Sequence, residues 1–162
     1  MSSIFDLSYI RRSIGITAKT TPTENIDYLD AVQYADTIPF VPPIQFGKVI
    51  KVYDGDTFTI ASKLPNTESP IYRFSVRLNG IDTPEIHGKT AHEKELAIAA
   101  RDALHKLIYG KIVTLKNIET EKYGRILADV YIEDIHVNTW LIQNKYATPY
   151  SGGTKIRPND WD

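Results

Sequence analysis

The sequence predicts an α+β domain of five strands and two helices, in which three strands precede the first helix. Apolar and polar residues alternate in the predicted strands, and apolar residues repeat at helical spacing in one long segment. The chain has 162 residues, of which 42% are hydrophobic and 24% charged. This length suits about one domain, and the composition excludes a disordered or fibrous protein.

The first two strands are predicted on either side of an Asp-Gly turn. Residues 49–52 lead into the turn at residues 53–56, and residues 57–60 lead out of it, which is typical of a β-hairpin. A third strand is predicted over residues 71–78 because its large apolar side chains alternate. Asn79-Gly80, which follows it, is either a turn or a bulge in a chain that continues extended.

The first helix is predicted from its cap and its apolar face. Thr90 and Glu93 form a capping-box pattern, and apolar residues then repeat at helical spacing as far as Gly110. The members of this face are Leu96, Ala100, Ala103, Leu104, Leu107 and Ile108.

The remaining elements are two strands and a second helix. Residues 111–118 and 126–132 are predicted to be strands. Asn138 is predicted to cap the second helix, because a side-chain oxygen at that position can accept from the first free backbone N–H groups. Trp140 and Leu141 contribute to the apolar side of this helix.

Residues 1–43 are predicted to be an N-terminal extension, and residues 44–162 the working domain. Three prolines within five positions, from Pro39 to Pro43, interrupt regular structure and set this boundary. Thr23 is predicted to cap a short helix over residues 25–35. The extension holds three basic and five acidic residues, and the domain sixteen and fifteen.

Composition also limits the function. The chain has no cysteine, which excludes a disulfide scaffold, a thiolate metal site and a cysteine nucleophile. Its net charge is −1, so a nucleic-acid partner would be bound by a few placed cations and not by an overall basic field. No apolar run approaches the ~18 residues that span a bilayer, so no membrane association is expected.

Three charged segments stand out, and each taken alone favours an ordinary turn with solvated charges. The segments are Asp54-Gly55-Asp56-Thr57, the run from Arg77 to Glu85 and Lys122-Tyr123-Gly124-Arg125. Together they supply carboxylates at strand edges, which suit Ca²⁺ or Mg²⁺, and two arginines shaped to bind phosphate oxygens. With one further carboxylate to orient or deprotonate water, these are the groups needed to hydrolyse a phosphodiester.

In this order, the three segments resemble the signature blocks of the staphylococcal (thermonuclease-type) nuclease family, over about residues 46–151. The resemblance implies a five-stranded OB-type β-barrel with helices. It also implies a calcium-dependent endonuclease that acts on DNA and RNA with little sequence preference and leaves 3′-phosphate and 5′-hydroxyl ends. Single-stranded or frayed substrates are expected to be preferred.

The resemblance implies a metal site and a general base. Asp56 and Asp82 match the calcium-ligating carboxylates of the family, and Thr83 matches the position whose backbone carbonyl binds the metal. Asp54 matches an acid close to the metal that does not bind it directly. Glu85 matches the carboxylate assigned as general base, which acts on a water molecule.

The resemblance also implies a set of substrate-binding residues. Arg77 and Arg125 match the two arginines that bind the phosphate during catalysis. Lys122 and Tyr123 match residues near the terminal phosphate of the substrate. Tyr150 corresponds only approximately to a tyrosine that stacks on a base, because Thr148-Pro149 shifts the register.

Two alternatives to an enzyme follow from the same residues. Domains of this family can lose their charged site and act as non-catalytic OB-fold modules that bind nucleic acid or protein. Asp56, Arg77, Asp82, Glu85 and Arg125 are all retained, which favours catalysis. Alternatively, the extension makes the chain a docking or structural component, and it could cover the cleft. Because no signal peptide is recognisable, we expect an intracellular or virion setting.

Overall fold

The computed structural model describes residues 26–153, and the chain divides into two compact units between Ile38 and Pro39. The described part of the first unit forms two short 3-10 turns, Asp27–Leu29 and Tyr34–Asp36. The prediction of one helix over residues 25–35 is therefore wrong, while its proposed cap, Thr23, lies outside the described residues. Gln33 has extended backbone and its N–H donates to the Asp36 carboxylate, at 2.9 Å, which starts a new turn in place of a continuous helix.

The second unit is built on a closed β-barrel of five long strands. These strands are β1 (Phe46–Val52), β2 (Thr57–Ser62), β3 (Tyr72–Leu78), β5 (Ile112–Thr120) and β6 (Ile126–Ile132). Short strands add to it: β4 (Ile81–Asp82), β7 (Ile135–His136) and β8 (Thr148–Pro149). The helices are α1 (Ala91–Ile108) and α2 (Val137–Gln143).

Strand pairing closes the barrel. The neighbours run in the order β3-β2-β1-β5-β6, and β6 then pairs with β3 in parallel, with Val76 opposite Ile126 and Leu78 opposite Ala128. The other long strands pair antiparallel. This confirms the predicted α+β class and the OB-type five-stranded barrel with two helices. The inward side chains make one core, with members such as Val49, Phe58, Ile60, Val113 and Val130 fully buried.

Helix α1 follows the predicted cap and face. The N–H of Glu93 donates to Thr90 Oγ1 at 3.0 Å, and the helix ends before Gly110, whose φ of +75° suits glycine. Leu104 and Ile108 are fully buried in the barrel core. The helix therefore packs on the barrel by the apolar stripe that its spacing predicts. No helix of the described segment is long and apolar enough to cross a membrane.

Helix α2 corrects the predicted role of Asn138. The residue lies inside the helix and is 3% exposed, while His136 occupies the cap position. Its Oδ1 accepts from the Val130 N–H at 3.0 Å, and its Nδ2 donates to the carbonyls of Asn79 and Ala128 at 2.8 and 3.2 Å. The side chain thus bonds groups of β6 and the turn after β3, and the buried backbone groups among them need such partners.

Candidate active site

Five segments of the chain meet at one cleft of about 450 Å³. They are the β1–β2 loop, the end of β3, the segment after β4, the β5–β6 loop and the residues after β8. Nine of the ten residues predicted for the site line the cleft: Asp54, Asp56, Arg77, Thr83, Glu85, Lys122, Tyr123, Arg125 and Tyr150. The tenth, Asp82, is buried, with 6% of its surface exposed, and its carboxylate contacts the Arg77 guanidinium.

Close packing fixes the β1–β2 loop beside the cleft. A Cβ atom on Gly55 would lie 2.8 Å from the Ala100 Cβ and 3.0 Å from the Thr83 side chain. Glycine at this position therefore allows α1 and the segment after β4 to approach the loop closely. As a result, Asp54 and Asp56, on either side of Gly55, lie beside the segment that carries Thr83.

Tyr150 reaches the cleft through the pairing of β4 with β8. In that pair Asp82 lies opposite Thr148, and the Tyr150 N–H donates to the Gly80 carbonyl at 2.9 Å. The Tyr150 ring centroid is 5.9 Å from Arg77 Cζ. The register left approximate by the sequence therefore places this ring against an arginine of the site.

Arg77 lies between two buried carboxylates. Its Nη2 is 2.9 Å from Asp56 Oδ2 and 3.1 Å from Asp82 Oδ1, and its Nη1 donates to the Ile81 carbonyl at 3.1 Å. The Arg77 side chain is 12% exposed and each carboxylate side chain 8%. One guanidinium thus holds the end of the β1–β2 loop and β4 at a fixed separation.

Asp56 is a strongly desolvated carboxylate. Burial raises the pKa of Asp56 to about 7, opposed by the Arg77 charge and assisted by the charge of Asp54. Its Oδ1 accepts from Thr57 Oγ1 at 2.8 Å, and its N–H donates to Asp54 Oδ1 at 3.1 Å. A further positive charge beside Asp56 would stabilise its ionised form.

Arg125 is oriented by two neighbours. Its Nε donates to Glu121 Oε1 at 2.7 Å, and its Nη1 donates to Thr57 Oγ1 at 3.2 Å. The bond to Glu121 raises the pKa of Arg125, and the same bond lowers the pKa of Glu121. Beside Arg125, Lys122 Nζ lies 4.9 Å from the centroid of the Tyr123 ring.

Glu121 is a residue of the site that the sequence analysis missed. It lines the cleft, and its N–H donates to the Arg125 carbonyl at 3.1 Å, so the two residues face each other across the β5–β6 hairpin. The signal that could have found it is an acidic residue placed opposite a basic one on the two sides of a predicted hairpin.

The donor set of the cleft suits a hard divalent cation. The cleft residues together with Asp82 provide five carboxylates against three cationic side chains, which gives a formal charge of −2 when every carboxylate is ionised. Carboxylate and carbonyl oxygens, completed by water, are the ligands that Ca²⁺ prefers. Among residues 26–153, no three His, Asp or Glu side chains lie close enough together to hold a metal ion by themselves. A cation here would therefore need backbone carbonyls or water in addition to the side chains that reach it.

Comparison with known proteins agrees with this geometry. The profile of the family described as staphylococcal nuclease homologue matches residues 75–159, slightly more than half of the chain. The chain belongs to the staphylococcal nuclease family. The matched segment of this staphylococcal nuclease homologue contains Arg77, Glu85 and Arg125, whereas Asp54 and Asp56 precede it and join the cleft through the fold.

Individual relatives have similar names. An uncharacterized endonuclease of Escherichia coli is 27% identical over 124 residues, which cover 76% of this chain and 72% of that protein. A probable endonuclease of Schizosaccharomyces pombe is 30% identical over 133 residues, covering 68% of this chain and 58% of its own length. A probable staphylococcal-like nuclease of Oryza sativa subsp. japonica is 32% identical over 75 residues, or 46% of this chain and 19% of that protein.

Proposed function

We propose that this protein is a nuclease that hydrolyses the phosphodiester bonds of DNA and RNA with little sequence preference. The observation that carries the proposal is the convergence of Arg77, Arg125 and Glu85 on one cleft. The three residues come from different segments. The two guanidinium groups can stabilise charge on the phosphoryl oxygens, and the solvent-accessible carboxylate can take a proton from water. The family and the names of the relatives support the same activity.

The two arginines bind the phosphate of the scissile bond. A guanidinium presents donors in a planar fork that matches two phosphate oxygens. Arg125 is held by Glu121 and Thr57 through its Nε and Nη1, so its orientation is set before substrate enters. This arrangement stabilises the charge that develops on the phosphoryl oxygens in the transition state.

Glu85 acts as the general base. It takes a proton from a water molecule, whose oxygen forms a bond to phosphorus while the bond from phosphorus to the 5′ oxygen breaks. The leaving oxygen takes a proton from solvent and becomes the 5′-hydroxyl, Glu85 returns the proton it took to solvent, and the other product ends in a 3′-phosphate. Because Glu85 lines the cleft and is exposed, it can exchange its proton with solvent after each turnover.

We further propose that the activity depends on Ca²⁺, held by Asp56, Asp82 and the carbonyl of Thr83. The burial of both carboxylates and the excess negative charge of the cleft support this ligand set. When bound, such an ion supplies positive charge to the phosphoryl oxygens and acidifies a coordinated water. Asp54 keeps the loop in place through its bond to the Asp56 N–H.

Lys122, Tyr123 and Tyr150 are proposed to bind the rest of the nucleotide. Lys122 supplies a charge for a terminal phosphate, and the two tyrosines offer rings for stacking. A hollow of about 950 Å³ adjoins the cleft and shares Arg77, Lys122 and Tyr150 with it. The volume of this hollow is large enough for an unpaired base, which supports a preference for single-stranded or frayed substrates.

The deciding experiment is cleavage of single- and double-stranded DNA and of RNA by the full chain, with Ca²⁺, Mg²⁺ or EDTA. Cutting that requires Ca²⁺ and produces 3′-phosphate ends would support the whole proposal. Cutting with Mg²⁺ alone would retain the nuclease and reject calcium as its metal. Absence of cutting under every condition would overturn the activity and favour a non-catalytic binding module.

A further inference from the structure

Strands β1, β2 and β3 have an unusual charge composition. Their 20 residues include Lys48, Lys51, Arg73 and Arg77 and contain no Asp or Glu, although the whole chain has a net charge of −1. Neither Lys51 nor Arg73 forms an ion pair with another residue of the described segment. Uncompensated cations concentrated on neighbouring strands favour binding of a polyanion.

The strand register places these cations on the outer face of the barrel. Lys51 lies opposite Thr59 on β2, and Thr59 lies opposite Ser75 on β3. The neighbouring pair of Ile60 and Phe74 points inward, so the alternation of the pleat directs these three outward. A shallow groove of about 460 Å³ is lined by Ile50, Lys51, Thr59, Arg73 and Ser75.

This outer face lies on the same side of β3 as Arg77, a residue of the cleft. Arg77, which lines the cleft, is paired with Thr57 across the β2–β3 ladder, and Ser75 and Arg73 follow on the same side of β3. At about 3.3 Å per residue, Arg73 is roughly 13 Å from Arg77 along the strand. A substrate must extend beyond the nucleotides in the cleft to contact both arginines.

An exposed ring lies at the edge of the same face. Tyr53 is 57% exposed, and Lys51 Nζ is 5.8 Å from the centroid of its ring. The backbone N–H of Tyr53 donates to the Thr57 carbonyl at the start of β2. This bond does not involve the side chain, so replacing the ring leaves it in place. A basic groove beside an exposed aromatic ring is the arrangement that holds single strands without sequence preference.

We propose that this outer face, formed by Lys51, Tyr53, Thr59, Arg73 and Ser75, binds the part of a nucleic-acid strand that flanks the scissile bond. Lys51 and Arg73 neutralise backbone phosphates, the two hydroxyls donate to phosphate oxygens, and Tyr53 stacks on a base. The proposal deepens the proposed nuclease function and rests on it. It makes the protein prefer strands of several nucleotides over dinucleotides.

The test compares the full chain with the double variant Lys51→Gln/Arg73→Gln on two substrates, a dinucleotide and a single strand of about twelve nucleotides. The matched control is Lys94→Gln/Lys106→Gln, which removes the same charge from exposed positions of α1. We expect KM for the longer strand to rise about tenfold and dinucleotide cleavage to stay unchanged. The salt dependence of binding should weaken by about 1.4 in log–log slope, because each phosphate that is no longer neutralised lowers the slope by about 0.7.

A second measurement uses binding without cleavage, by fluorescence anisotropy of the labelled strand in EDTA. Tyr53→Ala should weaken binding about fivefold or more, whereas Tyr53→Phe should retain it because the ring remains. If neither the wild type nor the variants cut DNA or RNA, but the double variant binds the strand more weakly than the wild type, the nuclease function is rejected and the binding face is retained. Equal affinity of the double variant and the wild type would overturn the binding face, whatever the activity.

Discussion

Arg77 Nη2 lies 2.9 Å from Asp56 Oδ2 and 3.1 Å from Asp82 Oδ1, so one guanidinium is shared by two buried carboxylates. A shared cation cannot neutralise both partners, and the pKa of Asp56 is raised to about 7 by its burial. The same arginine also lines the cleft in which we propose that the phosphate binds. A divalent cation would relieve the two carboxylates and release part of the guanidinium for the substrate.

Replacing Asp82 with Ala should weaken calcium binding by tenfold or more, because it removes one of the two carboxylates in the proposed ligand set. Calorimetric titration of Ca²⁺ into the full chain measures this directly. Asp134→Ala, at an exposed position in the β6–β7 turn, removes the same charge away from the cleft and should leave the affinity unchanged. Equal calcium affinity in wild type and Asp82→Ala would place the ion elsewhere.

Glu85→Gln should lower the turnover number by about 10² to 10⁴, the usual contribution of a general base. Substrate affinity should be nearly unchanged, since the amide keeps the shape of the side chain and Glu85 is not among the proposed metal ligands. Single-turnover cleavage and anisotropy measure the two quantities separately. Glu95→Gln, on the exposed side of α1, is the matched control. If affinity and turnover fell together, the role of general base would be rejected.

Arg125→Lys should reduce kcat/KM by about 10- to 100-fold, although the charge is kept. An ammonium group cannot bond Glu121 and Thr57 and also bind two phosphate oxygens. The expected reduction in kcat/KM corresponds to the loss of one charge-assisted hydrogen bond, which contributes about 1.5–3 kcal/mol. Steady-state kinetics beside Arg101→Lys, at a partly exposed arginine of α1, provides the comparison. Rates close to the wild type would mean that only the charge matters.

Much of the fold was predictable because its elements carry local signals. The Asp54-Gly55 turn, the capping box at Thr90 and the alternation along β3 place the first three strands and α1 within a few residues of their observed bounds. The helix predicted over residues 25–35 failed because its apolar spacing contained no information on the extended backbone of Gln33. Periodicity indicates what a segment can form, and packing partners decide whether it does so.

The site was predictable as a set of residues but not as a set of contacts. Charged positions at the strand ends pointed to the cleft, while the pairing of Arg77 with both carboxylates depends on side chains from separate segments. Glu121 was missed because its partner is defined only by the hairpin register. Asn138 was misassigned because a polar residue at a helix start fits a cap and a buried bridge equally well from sequence alone.

The buried bridge of Asn138 leads to the last prediction. Asn138→Ala should lower the free energy of unfolding by about 2–3 kcal/mol, because a buried backbone group left without a partner costs about 1–3 kcal/mol. The groups that lose a bond are the Val130 N–H and the carbonyls of Asn79 and Ala128, of which the Ala128 carbonyl still accepts from the Asn79 N–H at 2.9 Å. Urea unfolding measures the change, which should appear in the midpoint with an unaltered slope.

A matched control distinguishes this bridge from an ordinary asparagine. Asn144 is exposed and its Nδ2 donates to the Trp140 carbonyl at 2.8 Å, so Asn144→Ala should cost less than about 1 kcal/mol. Asn138→Asp keeps an acceptor for Val130 but removes both donated bonds, and it should also be destabilising. Because the Asn79 turn lies between Arg77 and β4, the loss of Asn138 should also loosen the spacing of the two carboxylates. Equal stability of the Asn138→Ala and Asn144→Ala variants would show that water replaces the bridge at no cost.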